Sequence, residues 1–168
     1  MPSPLEGALG VQAARELILH MTRITVAAND TVFVEGQPSE SLWFIEAGEV
    51  VVTVGQGSST VEIVRRGPGA WLGEVGFLDF GPATTTVSAV TRVSALCLEC
   101  ASLSRLGREA PHATTVLVEA LNRELAERLV QGSTAALEAG IGRRRVVKKD
   151  APPGWWSRSL AKLLGSGT

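Results

Sequence analysis

Trp71-Leu72-Gly73-Glu74-Val75-Gly76-Phe77-Leu78-Asp79-Phe80-Gly81-Pro82-Ala83-Thr84-Thr85-Thr86-Val87 is the stretch on which the fold turns. It reads as a strand end, a glycine, a short helix beginning at Gly73–Glu74, a Gly-Pro break and then a threonine-rich strand. Gly73 is required where a side chain would block a turn or a close backbone approach. The three consecutive threonines are β-branched and make good strand material whatever else their hydroxyls do.

Around this stretch, short runs of Val, Ile, Thr and aromatics alternate with turn residues about every ten positions, the pattern of a β-sandwich or jelly roll. Strands are expected at Ile24–Val26, Thr31–Val34, Ser41–Ile45, Glu49–Val54, Thr60–Val64, Thr85–Ala89 and Ala95–Leu98. Glu35-Gly36-Gln37-Pro38, Glu46-Ala47-Gly48 and Arg66-Gly67-Pro68-Gly69 supply reversals between them. Helical periodicity is confined to the ends. Leu9–His20 predicts a short amphipathic helix, and Pro111–Leu137 a longer one in which Leu117, Leu121, Leu125 and Leu129 recur every four residues. That stripe fits core packing against the body; a dimer seam is the alternative. The expected architecture is a mainly β jelly roll over about 22–100, with a short N-terminal helix and a C-terminal helix over about 111–137. Residues 1–137 form one domain in this reading and residues 138–168 a basic tail.

At 168 residues and 45% hydrophobic content the chain has material for one sizeable core. Its charge is unevenly spread. Residues 1–142 hold nine Lys and Arg against sixteen Asp and Glu, a balance of −7, whereas residues 143–168 hold seven Lys and Arg against one Asp, a balance of +6. A basic tail on an acidic body predicts an acidic counterpart: the body itself, a partner protein, nucleic acid or a membrane surface. The tail carries Arg143, Arg144 and Arg145, then Trp155 and Trp156 after a Pro-Pro-Gly break, then Leu160, Leu163 and Leu164. Trp156 and the three leucines line one face of a short helix in this reading, as in a docking peptide or a peripheral membrane anchor. Packing of the two tryptophans on the body's own core is the plainer alternative.

Met1–His20 lacks a basic patch followed by a long apolar run, so no signal peptide is expected, and no stretch approaches a membrane-spanning length. A cytoplasmic protein is the resulting expectation. Cys97 and Cys100 fall in what reads as one strand, where an offset of three points them to opposite faces, as small hydrophobes rather than a metal or disulfide pair. His20 and His112 have no metal or triad spacing, and the chain has neither a Walker loop nor a Gly-x-Gly-x-x-Gly motif, so neither catalysis nor a metal site is expected. Residues 138–168 are too short a stretch for a helix-turn-helix domain, so sequence-specific DNA binding is not expected either.

The Val32-Phe33-Val34-Glu35-Gly36 turn, the Leu42–Val50 hairpin and the Gly73-Glu74 stretch, in this order, resemble the cyclic-nucleotide-binding domain family over roughly residues 20–135. The resemblance implies a phosphate-binding cassette. A helix beginning at Gly73–Glu74 would aim the amides of Val75 and Gly76 at a cyclic phosphate, and Glu74 would accept a hydrogen bond from the ribose 2′-hydroxyl. The family usually follows its proline with an arginine that pairs with the phosphate oxygens; here Ala83 occupies that place, followed by Thr84, Thr85 and Thr86. A bidentate guanidinium contributes charge-assisted bonds of roughly 1.5–3 kcal/mol each, so binding of cyclic AMP or cyclic GMP is expected to be weaker by at least about ten- to a hundredfold. Two functional readings stand on these residues: a regulatory or adaptor module with a degenerate pocket, acting on a protein partner or as a homodimer through the C-terminal helix and tail, and a sensor in which cassette closure shifts that helix.

Overall fold

The computed structural model describes residues 1–138 apart from Gln56 and Phe80, with side chains to residue 130. Two four-stranded antiparallel sheets stack face to face, and helices cover one of them. The strands are β1 (Thr22–Val26), β2 (Thr31–Phe33), β3 (Ser41–Ala47), β4 (Val50–Val54), β5 (Val61–Arg66), β6 (Trp71–Leu72), β7 (Thr86–Ala89) and β8 (Val93–Glu99). The first sheet runs β1-β8-β3-β6 and the second β2-β7-β4-β5. All seven expected strands are present within one or two residues, and the jelly-roll sandwich is the observed architecture. The two-residue β6 was not expected; it is defined by pairing of Trp71 with Phe44 and Leu72 with Trp43, not by a run of strand formers.

The helices are α1 (Pro4–Leu9), α2 (Val11–Ile18), α3 (Glu74–Asp79), α4 (Leu103–Glu109) and α5 (Pro111–Glu138). The expected helix at Leu9–His20 is shorter at its start, because Gly10 sits at φ +80° and separates α1 from α2. Ser3 caps α1 in a reciprocal box: its hydroxyl accepts from the Glu6 amide at 3.2 Å, and its own amide donates to the Glu6 carboxylate at 2.7 Å. Among the described residues, no helix is long and apolar enough to cross a membrane.

The apolar residues divide by strand alternation into two layers. Phe33, Ile45, Val50, Leu72, Ala83, Val87 and Val93 fill the space between the sheets. Leu42, Phe44, Leu96 and Leu98 face the other way and pack on Leu9, Leu17, Leu106, Leu117 and Leu121 of the helices, together with Phe77 of α3. Half of the leucine stripe is therefore core. Leu117 and Leu121 are fully buried, Leu125 is half-buried, and Leu129 is 73% exposed. The first half of α5 is clamped into the core, and its second half runs past the cassette.

Cys97 and Cys100 do not lie on opposite faces of one strand. β8 ends at Glu99 and Cys100 opens a single 3₁₀ turn, so strand alternation stops applying between them. Both are free and half-buried, and both line one groove at the open end of the sandwich.

Arg23 of β1 reaches over the intervening β8 to Glu46 of β3 with two bonds of 2.8 Å. The guanidinium, assisted by Ser94, holds the Glu46 carboxyl below its usual range. A carboxyl lowered in the folded state contributes stability above its unfolded pKa and loses it as pH falls through the folded value. The stability difference between the natural chain and Glu46→Gln, read by urea unfolding, is accordingly expected to be largest near neutrality and to vanish on acidification. Leu121→Ala, which empties a fully buried site on α5, should cost about 2–5 kcal/mol in the same measurement.

Candidate functional site

The cassette is organised by two glycines. Gly73 adopts φ +80°, and a Cβ there would lie 2.8 Å from the Ser41 carbonyl oxygen and 3.0 Å from the Phe33 ring. Only glycine lets the chain turn from β6 into α3 at this distance. One turn on, a Cβ at Gly76 would meet the Ser39 side chain at 2.6 Å. α3 is thereby seated directly on the segment that enters β3, with its first full helical bond from Phe77 N to Gly73 O at 2.9 Å.

Across from α3, the Pro82–Thr86 segment is pinned to the turn after β2. Gly36 N donates to Ala83 O and Ala83 N to Gln37 O, both at 2.8 Å. The Glu35 amide donates to the Thr86 hydroxyl at 3.0 Å. Between these walls lies a cavity of about 40 Å³, lined by Gly73, Glu74, Val75, Gly76, Ala83, Thr84 and Thr85, with Phe33, Ser39 and Val87. Seven of the eight residues expected from sequence meet here. Thr86 does not reach the lining; its hydroxyl is bound to Glu35. Phe33, Ser39 and Val87 were not foreseen; Phe33 and Ser39 join the cavity only through the folding of the β2–β3 connection onto α3. Ala83 is 9% exposed and belongs to the apolar layer between the sheets.

Small-molecule sites usually enclose roughly 300–1,000 Å³, so this cavity holds a whole nucleotide only after the walls part. Its polar lining consists of amides and hydroxyls plus one carboxylate, that of Glu74, which is 5% exposed. A carboxylate so far removed from water needs a cation, and the cation comes from α5. Arg128 donates through one amino group to Glu74 Oε1 and through the other to Glu124 Oε1, and to the Trp71 carbonyl oxygen at 3.2 Å. Burial brings the Arg128 guanidinium down to about 10, with Arg66 nearby acting in the same direction. Burial also raises the Glu124 carboxyl, against the pull of Arg66. Arg128 thus remains charged near neutrality and ties the one acidic side chain of the cassette to the second half of α5.

On the α5 side of this pair, an open polar groove of about 620 Å³ carries Arg65, Arg66, Arg123 and Arg128 together with Glu124 and Glu127. Arg65 is committed to Glu62 at 3.0 Å. The sequence signal for Arg128 was the Glu124–Arg128 spacing on one helix face, which also reads as an ordinary solvent-facing pair; its approach to Glu74, 54 residues away, has no local signature. The expected tail contacts at Arg143, Arg144, Arg145, Trp155, Trp156, Leu160, Leu163 and Leu164 lie outside the described residues.

Two substitutions separate these roles. Gly73→Ala is expected to cost at least about 1–3 kcal/mol of stability through backbone strain at positive φ. Arg128→Ala strands a buried carboxylate; since Arg128 itself is partly exposed, a loss of about 2 kcal/mol is expected by denaturant melting, below the 3–5 kcal/mol typical of fully buried pairs. Glu74→Gln in the same background should recover part of it.

Residues 23–109 match the model of the family described as cyclic nucleotide-binding domain. Among curated proteins, the chain is 32% identical over 108 residues to a cyclic nucleotide-gated potassium channel of Mesorhizobium japonicum, covering 64% of this chain and 29% of the channel. It is 29% identical over 96 residues to a CRP-like cAMP-activated global transcriptional regulator of Mycobacterium tuberculosis, covering 56% of this chain and 43% of the regulator. The chain thus spans less than half the length of these curated relatives. A solved cyclic nucleotide-binding domain from Methylobacillus flagellatus superposes with a TM-score of 0.75 over 84% of each chain, at 21% identity. With more than half its residues inside the family match and the same sandwich-plus-helix fold, this chain belongs to the cyclic nucleotide-binding domain family.

Proposed function

We propose that this chain is a non-catalytic regulatory module of that family whose cassette has little affinity for cyclic nucleotides and whose output is carried by α5 and the tail beyond it, toward a protein partner or a second copy. The observation that supports this most directly is the pairing of Glu74 with Arg128 beside a cavity of about 40 Å³ in which Ala83 contributes a methyl group. A cyclic phosphate entering here meets helix amides and the hydroxyls of Thr84 and Thr85 but no cationic side chain in the lining. Meanwhile the carboxylate best placed for a ribose hydroxyl is held by an internal cation. In this reading residues 1–137 are the domain and residues 138–168 the attachment device, with Arg143–Arg145 and the Trp155–Trp156 pair as its contact groups.

The same ion pair favours a second reading, that of a sensor. Because Arg128 stands on α5, any ligand that claims Glu74 competes with the bond that fixes the distal half of that helix, which supplies the differential interaction a two-state change requires. The relatives' names attach cyclic nucleotides to a channel and to a transcriptional regulator, and coupling of a pocket to a following helix would suit either setting.

Calorimetric titration of the full chain with cyclic AMP, cyclic GMP and cyclic di-GMP tells the two apart. The first reading expects no binding tighter than about 100 μM for the natural chain, and at least about tenfold tighter binding of a cyclic mononucleotide in Ala83→Arg, the return expected from one charge-assisted contact. Micromolar binding by the natural chain that disappears in Glu74→Ala would sink the degenerate-pocket reading and establish the sensor.

A further inference from the structure

Among the described residues a concavity far larger than the cassette cavity lies elsewhere. At the open end of the sandwich, between the sheets, a groove of about 860 Å³ is floored by Ile24, Trp43, Cys97 and Cys100 and rimmed by Pro38 and Pro82. Trp43 and Cys97 are cross-strand neighbours on β3 and β8, and Trp43 stands edge-on to Phe33 at 5.4 Å. Ile24 and Trp43 pack against the layer between the sheets and Cys100 against the helix-side layer, so the floor is the partly buried margin of both cores. Its charged lining residues are Glu40 and Glu99, both exposed, and the described lining residues include no Lys, Arg or His. Burial pushes both thiols up, with Glu99 adding to it at Cys97 and Glu40 at Cys100.

Two properties of the chain say what fits there. The first is chemistry: Gly154-Trp155-Trp156-Ser157-Arg158-Ser159-Leu160-Ala161-Lys162 offers two indoles followed by two cations and no acid, the complement of an apolar floor with two carboxylates at its rim. The second is reach. Ser39 lines both the cassette cavity and this groove, and α5 is tied to the cassette at Arg128. From Arg128 the helix runs ten residues to Glu138, about 15 Å. The seventeen residues from there to Trp155 span up to about 56 Å when extended, more than three times the roughly 15 Å by which the helix runs on beyond Arg128.

We propose that the Trp155–Trp156 segment of this chain's own tail seats in the groove between Trp43 and the two cysteines, with Arg158 and Lys162 toward Glu40 and Glu99. The proposal does not depend on whether the cassette binds a nucleotide. While seated the segment is withheld from any other partner, so the groove sets how available residues 143–164 are.

Cys97 and Cys100 are the only cysteines of the chain, which makes them native reporters of the seat. In the full-length protein, alkylation of both thiols by iodoacetamide is followed by mass spectrometry. Trp155→Ser with Trp156→Ser is expected to speed modification about tenfold, the factor for a seat empty roughly a tenth of the time, with the thermal midpoint of the body retained. Reversal of the rim with Glu40→Lys and Glu99→Lys should expose the thiols likewise, and adding Arg158→Glu and Lys162→Glu should restore protection. Equal rates in the natural and tryptophan-less chains overturn the proposal. So does protection that grows with protein concentration, which assigns the groove to the tail of another copy. Thiols unprotected in solution, with tail tryptophans that shift to the blue only on phosphatidylglycerol vesicles, would make the tail a membrane device and overturn it as well.

Discussion

A carboxylate buried to within a few per cent of complete exclusion from water is tolerable only beside a cation, and Glu74 meets that requirement with Arg128. Much of the geometry follows from that one pair. It draws the second half of α5 down onto the end of β6, where Arg128 also takes the Trp71 carbonyl oxygen. It brings Glu124 into the same partly buried neighbourhood, where burial raises the Glu124 carboxyl and lowers the Arg128 guanidinium. And it makes the acid of the cavity part of the helix interface, so that pocket and helix are electrostatically coupled.

The two glycines set the complementary steric constraint. Gly73 permits the sharp entry into α3, and Gly76 permits α3 to rest on Ser39. Together they bring the start of a six-residue helix against the β2–β3 connection, while the Pro82–Thr86 segment is fastened to the same connection by paired backbone bonds. The cavity is small because three short segments converge with their backbones close together and Phe33 and Glu74 fill part of the space between them; Ala83 turns its methyl into the apolar layer between the sheets.

What could be read from sequence and what could not divides along the range of the interactions. Seven strands were legible because alternation and turn residues are local signals, and the cassette was legible because its lining comes mostly from two short stretches, 73–76 and 83–85. β6 escaped, since two residues carry no period and its identity lies in its partners. α1 escaped although Ser3-Pro4-Leu5-Glu6 carries a capping signature, and Gly10 marks where the expected single helix divides. Arg128 was hidden among the polar residues of a long helix: helical spacing allows a pair with Glu124, but its closure on Glu74 comes from the fold. Thr86 differs from Thr84 and Thr85 in a way a run of three hydroxyls does not reveal: it opens β7, and its hydroxyl accepts from the Glu35 amide. The cysteines repeat that lesson, with alternation carried one residue past the end of β8.

Ser39 is the thin partition between the cassette cavity and the groove at the open end of the sandwich, and its hydroxyl is buried with no bonding partner among the described residues. A wall one side chain thick, with a methyl group's worth of clearance missing on the Gly76 side, has no slack to absorb displacement. The two hollows therefore share one wall, so a group that presses on Ser39 from either side presses it toward the other.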